Sequence, residues 1–304
     1  MHDPMSTFLS LHAWAVFTVL AAAAQTARNA MQRGLTAKAG VAGASWARFI
    51  FALPFALTSV SVIMALDGGT PSFERGYTTW LLLGSLAQMF ATGTMLLAMR
   101  DRSFVTVIAY TKTEPIQVAV FALALLGEQL TPIKTAAVLL GTLAVMLFSW
   151  PRDGGNLARD LRSAGWGLLA GAGFALAAVG YRGAITHMQG VGFVSAATIT
   201  LTLTLCIQTA LSIAWLLIAN RDALRTLFVA WRESVPAGFA GALASQFWFL
   251  AFALQAAPAV RTLGLIEVLF AQLVSWRLMR EKMTPREWSA LGLLLAALIV
   301  ILGA

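Results

Sequence analysis

The chain is short of the residues that soluble enzymes use for chemistry. It has one cysteine (Cys206), three histidines (His2, His12, His187), and only 11% of its residues are charged. A single thiol makes neither a disulfide nor a thiolate metal site, and the histidines share no ligand spacing, so no metal is expected. No G-x-x-x-x-G-K-[ST] run is present, which excludes an ATP site of that type. No Ser/His/Asp or Cys/His set stands at a usable spacing, so the reading is neither an enzyme nor a cofactor protein. No Lys or Arg precedes Arg28, so the basic n-region of a secretory signal is missing and the first apolar stretch is read as retained.

Apolar sequence fills the chain: 59% of residues are hydrophobic, and a soluble domain carries about 25% charged residues against the 11% here. Stretches long enough to cross a bilayer, roughly 17–25 residues each, fall at about 11–31, 41–66, 78–98, 103–126, 132–150, 164–186, 191–218, 235–257, 259–280 and 286–303. The expected fold is an all-α integral membrane protein of ten transmembrane helices. The net charge of +8 is spread over short loops, which points to anionic lipid headgroups and away from nucleic acid.

The strongest pattern is a duplication. TEPIQVAVFALALLGEQLTP around Glu114 is answered 153 residues later by IEVLFAQLVSWRLMREKMTP around Glu267. Each copy sets a glutamate in an apolar run, a second acid 14 residues on (Glu128, Glu281), and then Thr131-Pro132 or Thr284-Pro285. Trp14 with Trp166, Arg28 with Arg182 and Gln88 with Gln246 extend the match. The halves are residues 1–150 and 164–304, joined by a polar linker at 151–163. Five spans per half is an odd number, so the second half enters from the opposite face. The repeats are then inverted, and such folds hold their substrate near the midplane.

Thr131 and Thr284 are good N-caps with proline at the first helical position, and Thr284 with Glu287 forms a capping box. Residues 220–234 put Leu224, Leu227, Phe228 and Trp231 on one stripe with arginines between, the pattern of an amphipathic helix on the membrane surface. Gly167 with Gly171, and Ala23 with Ala27, are small-xxx-small pairs suited to close helix packing.

A charge at the bilayer centre costs at least about 2.5–3.5 kcal/mol, so Glu114 and Glu267 are the first candidate substrate-binding residues. The plain alternative is that each only neutralises a base within a span: Arg48, Lys112 or Arg261. Pro115 beside Glu114 is expected to break its helix and leave the Thr111 carbonyl without its helical donor. Pro54, with no acidic neighbour, is read as an ordinary kink. Lys112, Arg48, Arg28 and Arg182 supply positive charge, and a site of both signs suits a zwitterion such as an amino acid. For Arg28 and Arg182, snorkelling from a helix end is the competing reading. Gln88 and Gln246 are candidates for the cavity or for interhelical clasps, and Tyr110 and Trp248 for an apolar lining.

At these residues the chain resembles the EamA family of the drug/metabolite transporter superfamily. Glu114-Pro115, followed by Leu126-Gly127-Glu128, matches that family's acid-Pro and Gly-Glu pattern; Val268 and Arg280 depart from it in the second copy. The resemblance implies a ten-helix permease, a cavity lined by the first four spans of each half, and export or exchange of small metabolites, often amino acids. Its alternatives are a proton-coupled exporter of lipophilic cations and a membrane enzyme or assembly factor. The expected partners are a small-molecule substrate and membrane lipids, the protein being a monomer or homodimer in the inner cell membrane.

Loop charge and family resemblance imply opposite orientations. Of 21 Lys and Arg, 15 lie at the loops joining spans 1–2, 3–4, 5–6, 7–8 and 9–10, against three (Arg75, Lys134, Arg182) on the other side. The positive-inside rule then sets both termini outside, whereas the resemblance implies both in the cytoplasm.

Overall fold

The computed structural model describes residues 4–98, 110–149, 157–270, 272–273 and 284–303. His2, Glu281, Arg280 and residues 151–156 of the expected linker lie outside them. The helices are α1 Pro4–Ile50, α2 Leu53–Asp67, α3 Tyr77–Ala98, α4 Glu114–Leu126, α5 Pro132–Ser149, α6 Leu157–Thr186, α7 Phe193–Ala219, α8 Arg221–Val229, α9 Trp231–Leu254, α10 Ala257–Leu263 and α11 Pro285–Gly303. Two short strands, β1 Ser72–Phe73 and β2 Met188–Gln189, pair antiparallel.

Five helical stretches are long and apolar enough to cross a membrane: Gly43–Asp67, Ala164–Thr186, Phe193–Ala219, Trp231–Leu254 and Pro285–Gly303. Glu114–Leu126 and Pro132–Phe148 are shorter apolar helices. The burial pattern agrees with a lipid surround. Ile218 is 88% exposed and Ile299 70%, while Thr198, Thr200 and Gln208 are buried. The chain is an all-α, multi-pass membrane protein.

Several boundaries differ from those read in the sequence. Residues 32–39, expected as a loop, are helical; α1 is interrupted only at Gly40, whose φ of 70° is open to glycine but strained for other residues. The second half of the linker, from Leu157, is the first part of α6, because LARDLRS lacks glycine and proline and propagates a helix readily. Pro54 behaves as a kink residue. The chain turns at Phe51-Ala52 and restarts at Leu53 with Pro54 in the first turn.

The helices gather into two compact units, each drawing on both halves of the chain: Met1–Ser85 with Gly180–Gln255, and Leu86–Val179 with Ala256–Ala304. In the first, α1 packs on α9, α2 on α7 and α7 on α9. The bend at Phe51 is covered by Gly238, where a Cβ would lie 2.4 Å from the Phe51 Cβ. Side chains of α7 hold neighbouring backbones: Thr202 donates to the Ala56 carbonyl at 3.2 Å and Thr209 to that of Phe49 at 3.0 Å. Buried Gln208 donates to the Ser85 carbonyl and to the Tyr181 hydroxyl. The short helix α8 buries Ala223 and Leu227 but leaves Phe228 exposed, as is Trp231 at the start of α9, so only part of the expected stripe faces outward.

In the second unit α5 runs along α11, and α4 packs on α10. The Thr284 capping box is present. The Thr284 N–H donates to the Glu287 carboxylate at 2.7 Å, and the Glu287 N–H to the Thr284 hydroxyl at 3.3 Å. Thr131 caps α5 through the Lys134 N–H.

The Gly127-Glu128 pair has a local explanation. Gly127 ends α4 in the left-handed region (φ 68°), with its N–H and that of Glu128 returning to Leu123 and Ala122. Glu128 then reaches the N–H of Ala257, the first residue of α10, at 3.3 Å, placing an acid at a helix N-terminus. Gly127→Ala is expected to cost about 1–2 kcal/mol, the penalty of a Cβ in that conformation. Thermal unfolding of the purified variant in detergent checks this, and an unchanged midpoint would contradict it.

Candidate functional site

Both glutamates stand where a helix restarts. Tyr110-Thr111 is helical, Lys112-Thr113 forms a turn, and α4 begins at Glu114 with Pro115 in its first turn. The break therefore lies on the N-terminal side of Pro115, where a missing N–H costs nothing. Tyr110 helps close the turn: its carbonyl accepts from the Thr113 N–H at 3.1 Å and from the Thr113 hydroxyl at 2.7 Å.

The second copy lacks the proline but breaks at the same register. α10 ends at Leu263, a 3₁₀ turn covers Gly264–Ile266, and helix resumes at Glu267. Each acid thus sits at a helix N-terminus, where the backbone dipole favours negative charge.

The acids are matched crosswise. Arg261 donates through Nη2 to Glu114 Oε2 at 2.7 Å, with Nε 2.7 Å from Oε1. Lys112 forms an ion pair with Glu267. Each acid is neutralised by a base from the other copy, and Lys112 also lies within electrostatic reach of Glu114 and Arg261. The four charges sum to zero. Side-chain exposure runs from 8% for Glu114 to 24% for Lys112, so the group is lined by protein without being sealed.

The floor beside it is made of small residues. Thr111 donates to the Gly167 carbonyl at 3.3 Å, and a Cβ on Gly171 would lie 3.1 Å from Gln117 Nε2 and 3.2 Å from the Thr111 carbonyl. Gln117 also bonds Thr113 at 2.9 Å. The Gly167/Gly171 pair is the close-packing surface its spacing suggested.

The remaining candidates sort differently. Gln88 is half-buried on α3 in the second unit, its carbonyl accepting the Thr92 hydroxyl. Arg28, Arg48, Arg182, Gln246 and Trp248 belong to the first unit. Arg182 donates to the carbonyls of Phe252 (2.6 Å) and Ala253 (3.1 Å) at the C-terminus of α9, a favourable place for a cation. Gln246 clasps Thr198 of α7 at 2.8 Å, leaving its own oxygen buried without a donor among the described residues. Trp248 donates to Gln25 of α1 at 3.2 Å. Arg28 is buried and donates to Asn29.

Sequence reasoning recognised Arg261 as a base within a span but did not count it in the site. The bases stand at unequal distances from their acids: Lys112 is two residues before Glu114, and Arg261 six before Glu267. At the repeat spacing Lys112 aligns with Leu265 and Arg261 with Ile108, so a search for matched residues passes over both. Gln208 was missed as well; it sits in TITLTLTLCIQT, a run that reads as apolar.

No family model matches the chain, and no curated protein is similar to it. A solved structure described only as "Crystal structure of protein" aligns with a TM-score of 0.67 at 12% identity, covering 96% of this chain and 96% of that one. At that identity the likeness concerns the fold alone.

Proposed function

We propose that this protein is a secondary transporter of small metabolites, working by alternating access on ten spans arranged as two inverted repeats, as the EamA resemblance implies. The substrates in this reading are amino acids or related amine-bearing compounds, and the membrane is the inner cell membrane. One observation carries it: the part-buried, charge-neutral quartet of Lys112, Glu114, Arg261 and Glu267. The matching helix breaks before Glu114 and Glu267 support the repeat.

A crossed quartet is suited to a zwitterion. An arriving ammonium takes a carboxylate from its base, and the released base takes the substrate's carboxylate. Net charge at the site stays zero throughout, so no bare charge is left in low dielectric. Release on the other side lets Arg261–Glu114 or Lys112–Glu267 re-form, which returns the carrier to rest without a bound solute.

Counterflow in proteoliposomes against a panel of amino acids and amines tests this. Labelled amino acid should accumulate only in vesicles preloaded with unlabelled substrate. Accumulation of lipophilic cations alone would favour a drug exporter, and silence across the panel would reject amine-bearing metabolites as substrates.

A further inference from the structure

The elbow between α7 and α9 is built from α8. Phe193–Ala219 and Trp231–Leu254 are both long and apolar enough to cross a membrane, so the short helix that joins them lies at one face of the bilayer. Trp215, 42% exposed and one turn before the end of α7, and Trp231, 55% exposed at the start of α9, fit that depth, because tryptophan gathers at the headgroup level. The inner side of α8 is taken up by the protein. Ala223 and Leu227 are buried, and a Cβ on Gly43 of α1 would lie 3.3 Å from that of Ala223. Asn220 fixes the start of the helix, its side chain accepting from the Ala223 N–H at 3.1 Å.

The outer side is basic and apolar at once. Arg221 and Arg225 stand four residues apart and so share a face, with Phe228 and Val229 a turn further along it; all four are exposed. Arg232 carries its guanidinium 5.6 Å from the Trp231 ring centroid. Lys38 cancels Glu233, so three arginines against Asp222 leave a net charge of +2. Arg221 spends its Nε on the Leu217 carbonyl at 2.7 Å, and Arg225 meets no acid and no acceptor among the described residues. Like charges at this spacing weaken a helix, and an anion lying between them removes that cost. Water would solvate the arginines but not Phe228, Val229 and Trp231. A negatively charged headgroup with its acyl chains meets both.

We propose that the α8–α9 elbow is a binding site for an anionic phospholipid. Arg221, Arg225 and Arg232 hold the phosphate-bearing headgroup, whose oxygens suit the arginine fork. Phe228, Val229 and Trp231 lie against the start of the acyl chains. The site does not require that the chain transport anything, so it stands or falls apart from the proposal above.

The test is quenching of tryptophan fluorescence by phosphatidylglycerol brominated on its acyl chains, in the purified full-length protein in neutral detergent. Brominated phosphatidylcholine with the same chains is the comparison. Phosphatidylglycerol should quench saturably and at lower concentration than phosphatidylcholine. Arg221→Gln, Arg225→Gln and Arg232→Gln should each weaken the apparent affinity about fivefold, and the triple variant on the order of a hundredfold. Val229→Glu sets a carboxylate against the headgroup and should weaken binding by at least about tenfold. These side chains are all exposed, so the variants should fold. Arg75→Gln, exposed in the loop before α3, is the control and should change nothing. Equal affinity for phosphatidylglycerol in wild type and triple variant would overturn the proposal, as would equal affinity of the wild type for the two lipids. Displacement of the lipid by glycerol 3-phosphate at matched concentration would assign the arginines to a free phosphate. A lipid-independent dimer lost in the triple variant would assign the face to a second copy. Either result would overturn the proposal equally.

Discussion

Glu114→Gln is expected to destabilise the protein by about 3–5 kcal/mol, and Arg261→Gln by a similar amount, because each leaves the other partner as an uncompensated charge away from water. The double variant Glu114→Gln/Arg261→Gln should recover most of that loss, since two neutral groups of similar volume cost little where a matched pair costs much to desolvate. The geometry makes the pair worth measuring: both ends of the Arg261 fork that face Glu114 lie at 2.7 Å, and the carboxylate is only 8% exposed. Lys112 and Glu267 should follow the same cycle with smaller amplitudes, being 24% and 15% exposed. Denaturant unfolding in detergent reads all the variants. Losses below about 1 kcal/mol, the size usual for exposed pairs, would show that the quartet is a solvated surface cluster.

Gly180→Val is expected to prevent folding, and Gly180→Ala to cost at least about 1–3 kcal/mol, the usual penalty of overpacking. A Cβ on Gly180 would lie 2.6 Å from the Gly84 backbone nitrogen and 3.0 Å from the Trp80 carbonyl, so neither neighbour is a side chain able to turn away. Here α6 crosses α3 with backbone on backbone, and a Cβ on Gly84 would meet the Tyr181 ring at 2.6 Å. The contact also holds the Gln208 network, because Ser85 and Tyr181 are the neighbours of these two glycines. Gly165, on the same helix with nothing within 4 Å of its would-be Cβ, is the control. Gly165→Ala should be neutral or mildly stabilising, as a helical glycine replaced by alanine gains about 0.5–1 kcal/mol. Fluorescence-detected size exclusion after heating separates the two; Gly180→Ala as heat-stable as Gly165→Ala would contradict the close crossing.

Five of the ten expected spans were legible in hydropathy, because in lipid each spanning segment must satisfy its own backbone and so declares itself as a long apolar run. Local chemistry was legible too. The Thr284–Glu287 capping box and the Thr131 cap rest on residues within four positions of each other, where sequence spacing is nearly geometry. The pairing of the quartet was not, since Arg261 and Glu114 are 147 residues apart and obey no shared register. The break before Glu267 was hidden for another reason. Its first-copy counterpart is marked by Pro115, whereas a 3₁₀ turn at Gly264–Ile266 needs no proline. The buried hydroxyls of α7 were overlooked because threonine can return its hydroxyl to the preceding turn, as Thr198 and Thr202 do, and so passes at membrane depth as an almost apolar residue.

The quartet changes how the duplicated glutamate is understood. Two acids alone would wait for a cation. In the proposed carrier, two acids, each held by a base from the opposite copy, form a resting state that a zwitterion can enter and leave without a net change of charge. Stability and transport then separate cleanly: neutralising a whole pair should restore the first and abolish the second. Counterflow by the folded Glu114→Gln/Arg261→Gln double variant is the most direct measurement of this claim. Loss of exchange of a substrate that the wild type carries, in a protein of near wild-type stability, is the predicted result. Exchange at the wild-type rate would mean that the pair only holds the helices together, and would contradict the account.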